Sequence, residues 1–483
     1  MKGVFGFLKR PQQGDKPPLY LHNTLSGTLE AFKPMSRSVK VYNCGPTAYD
    51  EQHIGNLFPP VVANVLRRAL EAWGYKVDEV NNITDFGHLS EDEASEDKMT
   101  QGLKREGKTL TLANMRWLAE KYAELFFADL PALGVNPKAV RYPRASDYIN
   151  EQIAVIAALE QKEYAYRTHD GVYFDTSRFP AYGKLGQVNL EGLKVGARVV
   201  EHSEKRTPFD FALWKLDQKL GWGSPWGLGF PGWHTECVAM IFTLLGKQID
   251  IHMGGVDLIP THHNNEIAQA ESITGKQFVR YWIHNAHITI EGKKVSKSLG
   301  NTVYLHNLAD RGLSPRSLRY WFLTAHYRTP TNFTWSAIEG ANTALGRLQR
   351  FFLELPETKS APDKKFLDEF YSAIADDLNT AQALARVWQL VKDPGVLSAA
   401  KRASLLAADA ILGLGLGESG PQARLAVVTE TEFPAEVKKT LAEREAARAA
   451  KDFTLSDELR KQIESMGWDI KDTPGGPQLT SKQ

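Results

Sequence analysis

Four side chains could act together on a metal ion. The chain holds two cysteines in 483 residues, Cys44 and Cys237, and further on His262 and Glu266 stand four residues apart, one turn of a helix. Two thiolates, an imidazole and a carboxylate form a workable donor set for zinc. Spacing alone does not demand it, because neither cysteine has a second one at knuckle spacing and an isolated cysteine is more often a small buried apolar residue. His263 is a competing imidazole, three residues before Glu266, and His234 near Cys237 reads as pocket lining.

Two further segments suit phosphate. Thr47, His53, Gly55 and Asn56 cluster between a strand and a helix start, where free backbone N–H groups and the helix dipole favour a polyphosphate. The plain alternative is a loop histidine capping a helix. Downstream, Lys293-Lys294-Val295-Ser296-Lys297-Ser298 alternates lysines with small hydroxyl residues before Gly300, a pattern for a mobile loop that grips phosphates or for solvated surface.

The elements that must position these groups follow from periodicity. Residues 40–45 read as a strand running through Cys44 into the Gly45-Pro46 turn. His53 leads into a helix reaching Trp73, with Pro59 and Pro60 in its first turn and Gly74 at its end, and residues 76–83 form the next strand. Such a strand-helix-strand unit crosses over right-handedly and builds parallel sheet. Cys237 opens an apolar helix after Gly232-Trp233-His234, so both cysteines fall at element ends, where open parallel sheets collect ligands. Helices are expected over 112–133 and 147–161, a hairpin over 165–174 turning at Asp170-Gly171, and strands over 248–252 and 282–290. Residues 163–230, rich in glycine, proline and aromatics, read as an insertion. Beyond Leu313 the pattern is helical, and 413–434 reads as a linker to a last small unit.

Composition is that of a soluble multidomain enzyme, 42% hydrophobic and 24% charged. A net charge of +1 neither announces nor excludes an RNA partner, since phosphate binding needs only a local basic stripe. Two cysteines exclude a disulfide framework and suit a reducing compartment. The apolar patch at residues 4–8 is too short for a signal segment, and no run approaches the roughly 18 apolar residues of a membrane span, so a cytoplasmic location is expected.

The motifs also carry a family resemblance. Cys44-Gly45-Pro46-Thr47-Ala48-Tyr49-Asp50, the HIGH-type His53-Ile54-Gly55-Asn56, the KMSKS-type Lys294-Val295-Ser296-Lys297-Ser298, Pro231-Gly232-Trp233-His234-Thr235-Glu236-Cys237 and His262-His263-Asn264-Asn265-Glu266 resemble cysteinyl-tRNA synthetases, class I aminoacyl-tRNA synthetases, over residues 19–479. The two signatures alone would say only class I. The cysteine-bearing segments make the likeness specific.

The resemblance implies an α/β protein: a Rossmann-type parallel-sheet catalytic domain in two halves, 19–162 and 231–312, around an inserted connective domain at 163–230. A stem-contact region at 313–345, a helical bundle at 346–425 and an anticodon-binding domain at 426–483 would follow, with residues 1–18 as an N-terminal extension. It implies that Cys44, Cys237, His262 and Glu266 hold one Zn2+, and that Trp233 and His252 border the bound cysteine. ATP, with Mg2+, would meet Thr47, His53, Gly55, Asn56 and Lys297, while His53, Asn56, Lys294 and Lys297 would act in catalysis. The implied partners are L-cysteine, ATP and tRNA(Cys), and the implied state is a monomer. Zinc would serve selectivity, because a pocket separates similar small side chains by only about 1–3 kcal/mol.

The chain departs from the family pattern at Val295, at Asn56, at Ile259-Pro260-Thr261 before His262, and at Phe86-Gly87-His88 after Asp85. A cysteine ligase acting on an amino sugar would share the core but lack the last unit, against which residues 435–479 argue. A non-catalytic RNA-binding paralogue would not need Thr47, His53, Lys294 and Lys297. Arg444, Arg448 and Lys451, with Trp468 as a candidate stacking residue, resemble the anticodon-reading unit.

Overall fold

The computed structural model describes residues 16–87, 97–188, 204–295, 300–418, 434–450, 452–473 and 476–481. The chain enters as a hairpin, β1 (Tyr20–Asn23) and β2 (Thr28–Ala31), then forms β3 (Ser38–Asn43), α1 (Ile54–Ala72) and β4 (Lys76–Asn81). β3 and β4 pair in parallel, and α1 buries Leu57, Val61, Val65 and Leu66. His53 caps α1, so Pro59 and Pro60 sit in the second turn and not the first. Prolines there have no N–H to give to the carbonyls of Gly55 and Asn56. Three helices follow, α2 (Lys98–Arg105), α3 (Leu112–Ala132) and α4 (Ile149–Gln161), the last preceded by a 3-10 turn, Ala145–Tyr148.

An antiparallel sheet comes next, with order β5-β6-β7-β9-β8: β5 (Ala165–Thr168), β6 (Gly171–Phe174), β7 (Phe211–Leu216), β8 (Trp222–Ser224) and β9 (Gly227–Pro231). Its first hairpin turns at His169-Asp170, one residue before the expected Asp170-Gly171, with Gly171 already paired to Thr168. The chain then returns to the parallel sheet through α5 (Trp233–Leu244), β10 (Ile249–Gly255), α6 (Asn264–Thr274) and β11 (Val279–Asn285).

The parallel sheet has the order β11-β10-β3-β4. From β3 the chain steps outward to β4, and from β10 outward to β11 the other way, so the strand order reverses between β3 and β10. Ligand crevices in open parallel sheets form at that point, beyond the carboxyl ends of the strands. Cys44 follows β3 there and donates its N–H to Met253 O at 3.1 Å. Val41, Ile251, Met253 and Ile283 are buried, as expected of strands covered on both faces.

The single strand expected over 282–290 is two strands. The ladder breaks where Ala286 donates its N–H to Tyr327 O, and β12 (Ile288–Ile290) joins β13 (Lys293–Lys294) and β14 (Thr331–Phe333) in a separate sheet. Helices follow: α7 (Leu305–Ala309), α8 (Pro315–Leu323), α9 (Trp335–Glu354), α10 (Lys364–Ala375), α11 (Thr380–Lys392) and α12 (Ser398–Leu412). Thr334, Asp363 and Asn379 cap α9, α10 and α11. The fully buried Arg319 donates to Leu412 O and Leu133 O, tying the ends of α12 and α3 together. A last unit, α13 (Ala435–Ala449), α14 (Phe453–Ser465), β15 (Trp468–Thr473) and β16 (Gly476–Ser481), packs around Val437, Leu441, Ile463 and Ile470. Trp468 lies partly buried against that core. Among the described residues no helix is long and apolar enough to cross a membrane.

Candidate active site

The four candidate donors meet at the switch point of the parallel sheet. Half-buried Cys44 follows β3, buried Cys237 lies one turn into α5, His262 sits in a π-turn (Ile259–His263) and Glu266 in the first turn of α6. Their ligand atoms all lie within 4.8 Å of one another. Zinc bond lengths of about 2.3 Å to sulfur and 2.0 Å to nitrogen put tetrahedral S and N donors about 3.5 Å apart. Cys237 Sγ and His262 Nε2 are 3.6 Å apart, so the donor set fits a zinc ion.

His263 also faces the cluster, but through Cys44 and not through Glu266. Its Nε2 lies 3.3 Å from Cys44 Sγ, and its Nδ1 lies 2.8 Å from His284 Nε2. Cys44, His252, His263 and Glu266 thus form a second compact group within the same 4.8 Å limit. The π-turn, with its extra residue, lets two consecutive histidines point inward. Gly254 makes room: a Cβ there would stand 2.7 Å from His263 Cε1.

Around these lies a shell of rings. Trp233 covers His262 with ring centroids 4.2 Å apart, and His252 stacks on Trp282 at 4.6 Å. His252 and Trp282 are directly opposite in the β10–β11 ladder, which puts both rings on one face. His252 Nε2 pairs with Glu266 Oε2 at 2.8 Å, and its Nδ1 is buried without a protein partner. His234, read from sequence as pocket lining, is turned into the cluster and meets His262 Nδ1 to Nδ1 at 2.8 Å.

The electrostatics pair charge inside the protein. Burial opposes a charge on His262, yet Glu266 and Cys237 outweigh it and raise the imidazole to about 10. Burial likewise opposes the Glu266 carboxylate, and His252 with His262 brings it down to about 2. The Cys237 thiol, against its burial, comes down to about 6 through its hydrogen bond with Cys44 and the nearby His262. Burial holds Cys44 up and pushes His263 down.

At the phosphate side, His53 is indeed the cap of α1, its Nδ1 accepting from Gly55 N–H at 3.1 Å. Ile54 donates its N–H to Val303 O, and His53 bridges Tyr304. A Cβ on Gly55 would stand 3.0 Å from His53 Cε1 and 4.0 Å from Val295 Cγ2, so the two signature segments meet over this glycine. Asn56 Nδ2 donates to Gln52 Oε1, and Thr47 bridges Thr84. Lys294 is exposed in β13. Lys297 lies outside the described residues, as do Ser296, Ser298 and His88.

Asp85 accepts from the N–H of Ser146 at 2.9 Å, which turns the carboxylate toward the start of α4, and Phe86 packs edge-on against Trp222. Sequence reasoning missed Trp282 and His284. Their period-2 spacing in a strand beside His252 was the available signal.

Comparison with known proteins supplies the family and the fold. The family described as tRNA synthetases class I (C) catalytic domain matches residues 31–343. Cysteine–tRNA ligase 1 of Burkholderia lata is 42% identical over 471 residues, spanning 96% of this chain and 97% of its own. The cysteine–tRNA ligase of Aquifex aeolicus is 37% identical over 508 residues, spanning 96% and 99%. Among solved structures, a Mycobacterium tuberculosis methionyl-tRNA synthetase in complex with methionyl-adenylate shares the fold at a TM-score of 0.55 and 15% identity, over 79% of this chain and 91% of that one.

Proposed function

The chain belongs to the cysteine–tRNA ligases of the class I aminoacyl-tRNA synthetases, and from that premise we propose that it activates L-cysteine with ATP and transfers the cysteinyl group to tRNA(Cys). Cys44, Cys237, His262 and Glu266 hold a zinc ion in this reading. The observation that carries it is their convergence, from three separate segments of the chain, at the crevice where an α/β sheet takes its ligand. Bound zinc supplies a soft acceptor that favours the substrate thiolate over a serine hydroxyl.

The amino acid lies against Trp233 and His252. His252 is held in orientation by Glu266 and by the Trp282 stack, which leaves its Nδ1 as a buried polar atom for the ligand. In the first step the cysteine carboxylate attacks the α-phosphorus of ATP, an O–P bond forms, and the bond from the α-phosphorus to the bridging oxygen breaks as pyrophosphate leaves; Mg2+ would offset the charge on the phosphates. His53, Asn56 and the N-terminus of α1 stabilise the charge that grows on phosphate, with Thr47 and Gly55 lining the same loop. Lys294 and Lys297 follow the departing pyrophosphate. In the second step the 2′-hydroxyl of the terminal adenosine attacks the adenylate carbonyl and AMP leaves. Positioning and electrostatics carry both steps.

The unit at 426–483 reads the anticodon, the insertion at 163–230 is the connective domain, and the enzyme works as a cytoplasmic monomer. The test is cysteine-dependent ATP–pyrophosphate exchange followed by charging of tRNA(Cys) with labelled cysteine. Both are expected. Exchange with transfer to an amino sugar and none to RNA would replace this reading with the ligase alternative, and no exchange would remove the enzyme reading.

A further inference from the structure

The inserted antiparallel sheet touches the segment that carries His262 and Glu266. A turn at residues 182–187 lies against the π-turn and the start of α6. There the side chain of buried Asn264 is fully used: its Oδ1 accepts from Leu185 N–H at 3.1 Å, and its Nδ2 donates to Leu185 O at 3.1 Å and to Ile259 O at 2.7 Å. One amide thus joins the turn, the first residue of the π-turn and the first residue of α6. Gly186 is left-handed at φ 73°, and a Cβ on it would stand 2.6 Å from Ile259 Cγ2, so the turn is pressed onto the residue that opens the π-turn. Tyr182 donates its hydroxyl hydrogen to Asn265 Oδ1, and Lys184 pairs with Glu271. From the other side, Phe211 of β7 packs edge-on against His234, the residue that meets His262 Nδ1.

We propose that the turn at 182–187 is a clamp that sets the register of the His262–Glu266 segment, with Asn264 as its positioning residue. The inference rests on the zinc and cysteine reading above and extends it, giving the inserted sheet a part in amino acid selection. The physical reason is that a π-turn is a rarely used conformation. Without an outer support it can relax to an α-turn, which would rotate His262 and His263 about the helix axis and spread the donors. Groups that orient metal ligands typically change metal affinity about 10–100-fold when removed.

The test uses the full-length protein. Asn264→Ala and Gly186→Ala are compared with wild type for zinc affinity by chelator competition, for KM of cysteine and of ATP in pyrophosphate exchange, and for thermal unfolding. Both variants are expected to lose zinc affinity about 10–100-fold and to raise KM for cysteine severalfold, with KM for ATP unchanged. A purely structural role would lower the unfolding temperature and leave zinc affinity and the ratio of the two KM values in place, which overturns the proposal. If Asn264→Ala does not fold, Gly186→Ala decides on the same readouts. Wild-type protein that binds no zinc would fail the underlying reading. Wild type that binds zinc beside variants that bind it equally well would fail the clamp alone.

Discussion

His234 and His262 meet nitrogen to nitrogen, Nδ1 to Nδ1 at 2.8 Å, with both rings buried. One of the two nitrogens must donate and the other accept. If His262 donates from Nδ1, its Nε2, which faces Glu266 Oε1 at 2.9 Å, is the nitrogen whose proton zinc would displace, giving the tautomer a metal ligand needs. His234→Phe keeps the ring volume and removes the acceptor. We expect zinc affinity to fall about 10–100-fold, measured by chelator competition. Unchanged affinity would show that the ring of His262 is oriented by Trp233 alone.

Cys237→Ser replaces a thiolate with a hydroxyl that does not ionise near neutral pH. The variant is expected to lose most of its zinc and to activate cysteine weakly, read by elemental analysis and by pyrophosphate exchange. Unchanged zinc content in the variant would remove Cys237 from the ligand set and leave Cys44, His252, His263 and Glu266 as the remaining compact group, and full activity in metal-free protein would remove the zinc reading itself.

Gly45 leaves no room for a side chain. A Cβ on it would stand 1.6 Å from Asn82 O and 2.3 Å from Asn81 Oδ1, and its N–H donates to Asn82 Oδ1 at 2.8 Å. Gly45→Ala must push the β3 and β4 ends apart and move Cys44 with them. Overpacking of this kind costs about 1–3 kcal/mol, so the urea midpoint should fall and zinc binding should weaken with it. A midpoint equal to wild type would mean that the β4 end yields freely.

Much of this arrangement was legible in the residues, and the limits are physical. The β3–α1–β4 unit is local, and alternating Val39 and Val41 followed by a 3.6-residue period at Val61, Val62, Val65 and Leu66 reveals it. The donor set is not local: Cys44 and Glu266 are brought together through the pairing of β3 with β10, which no periodicity encodes, so family likeness had to bring them together. The π-turn escaped because its pattern over Ile259–His263 is that of an ordinary helix start, and only tertiary support selects the wider turn. The break at Ala286 escaped because both halves of 282–290 favour strand. His53 shows the reverse case. Capping and phosphate binding are not exclusive there, because the ring that caps α1 stands at the helix end where a phosphate would bind.

The buried imidazole of His284 supplies a pH test. Burial, with His252 beside it, pushes His284 down to about 3 from the ordinary 6.5. Because the folded value lies below the unfolded one, the unfolded chain binds the extra proton between them. The stability tied to neutral His284 is therefore complete above about pH 6.5 and is lost as pH falls toward 3. One proton contributes a slope of about 1.4 kcal/mol per pH unit. His284→Gln keeps a polar side chain near Thr24 and His263 without that titration. Urea unfolding from pH 6.5 down to 4 should show a shallower loss for the variant by about this slope, and parallel curves would place the acid sensitivity elsewhere.

The lysine loop supplies the last prediction. Its neck is tied by Asn301 Nδ2 donating to Lys294 O at 3.0 Å, and Val303 and Tyr304 beyond it are fastened to Ile54 and His53. A segment anchored at the cap of α1 can bring a lysine to a phosphate without carrying the amino acid pocket with it. Lys297→Ala should therefore lower the rate of adenylate formation about 100-fold, the scale for removing one donor to developing charge, and leave KM for cysteine within about twofold of wild type. The split is the informative quantity, because Trp233 and His252 face the pocket through His262 and Glu266. A rise in KM for cysteine with the rate unchanged would mean that the loop closes on the amino acid, and the assignment of Lys297 to pyrophosphate would fall.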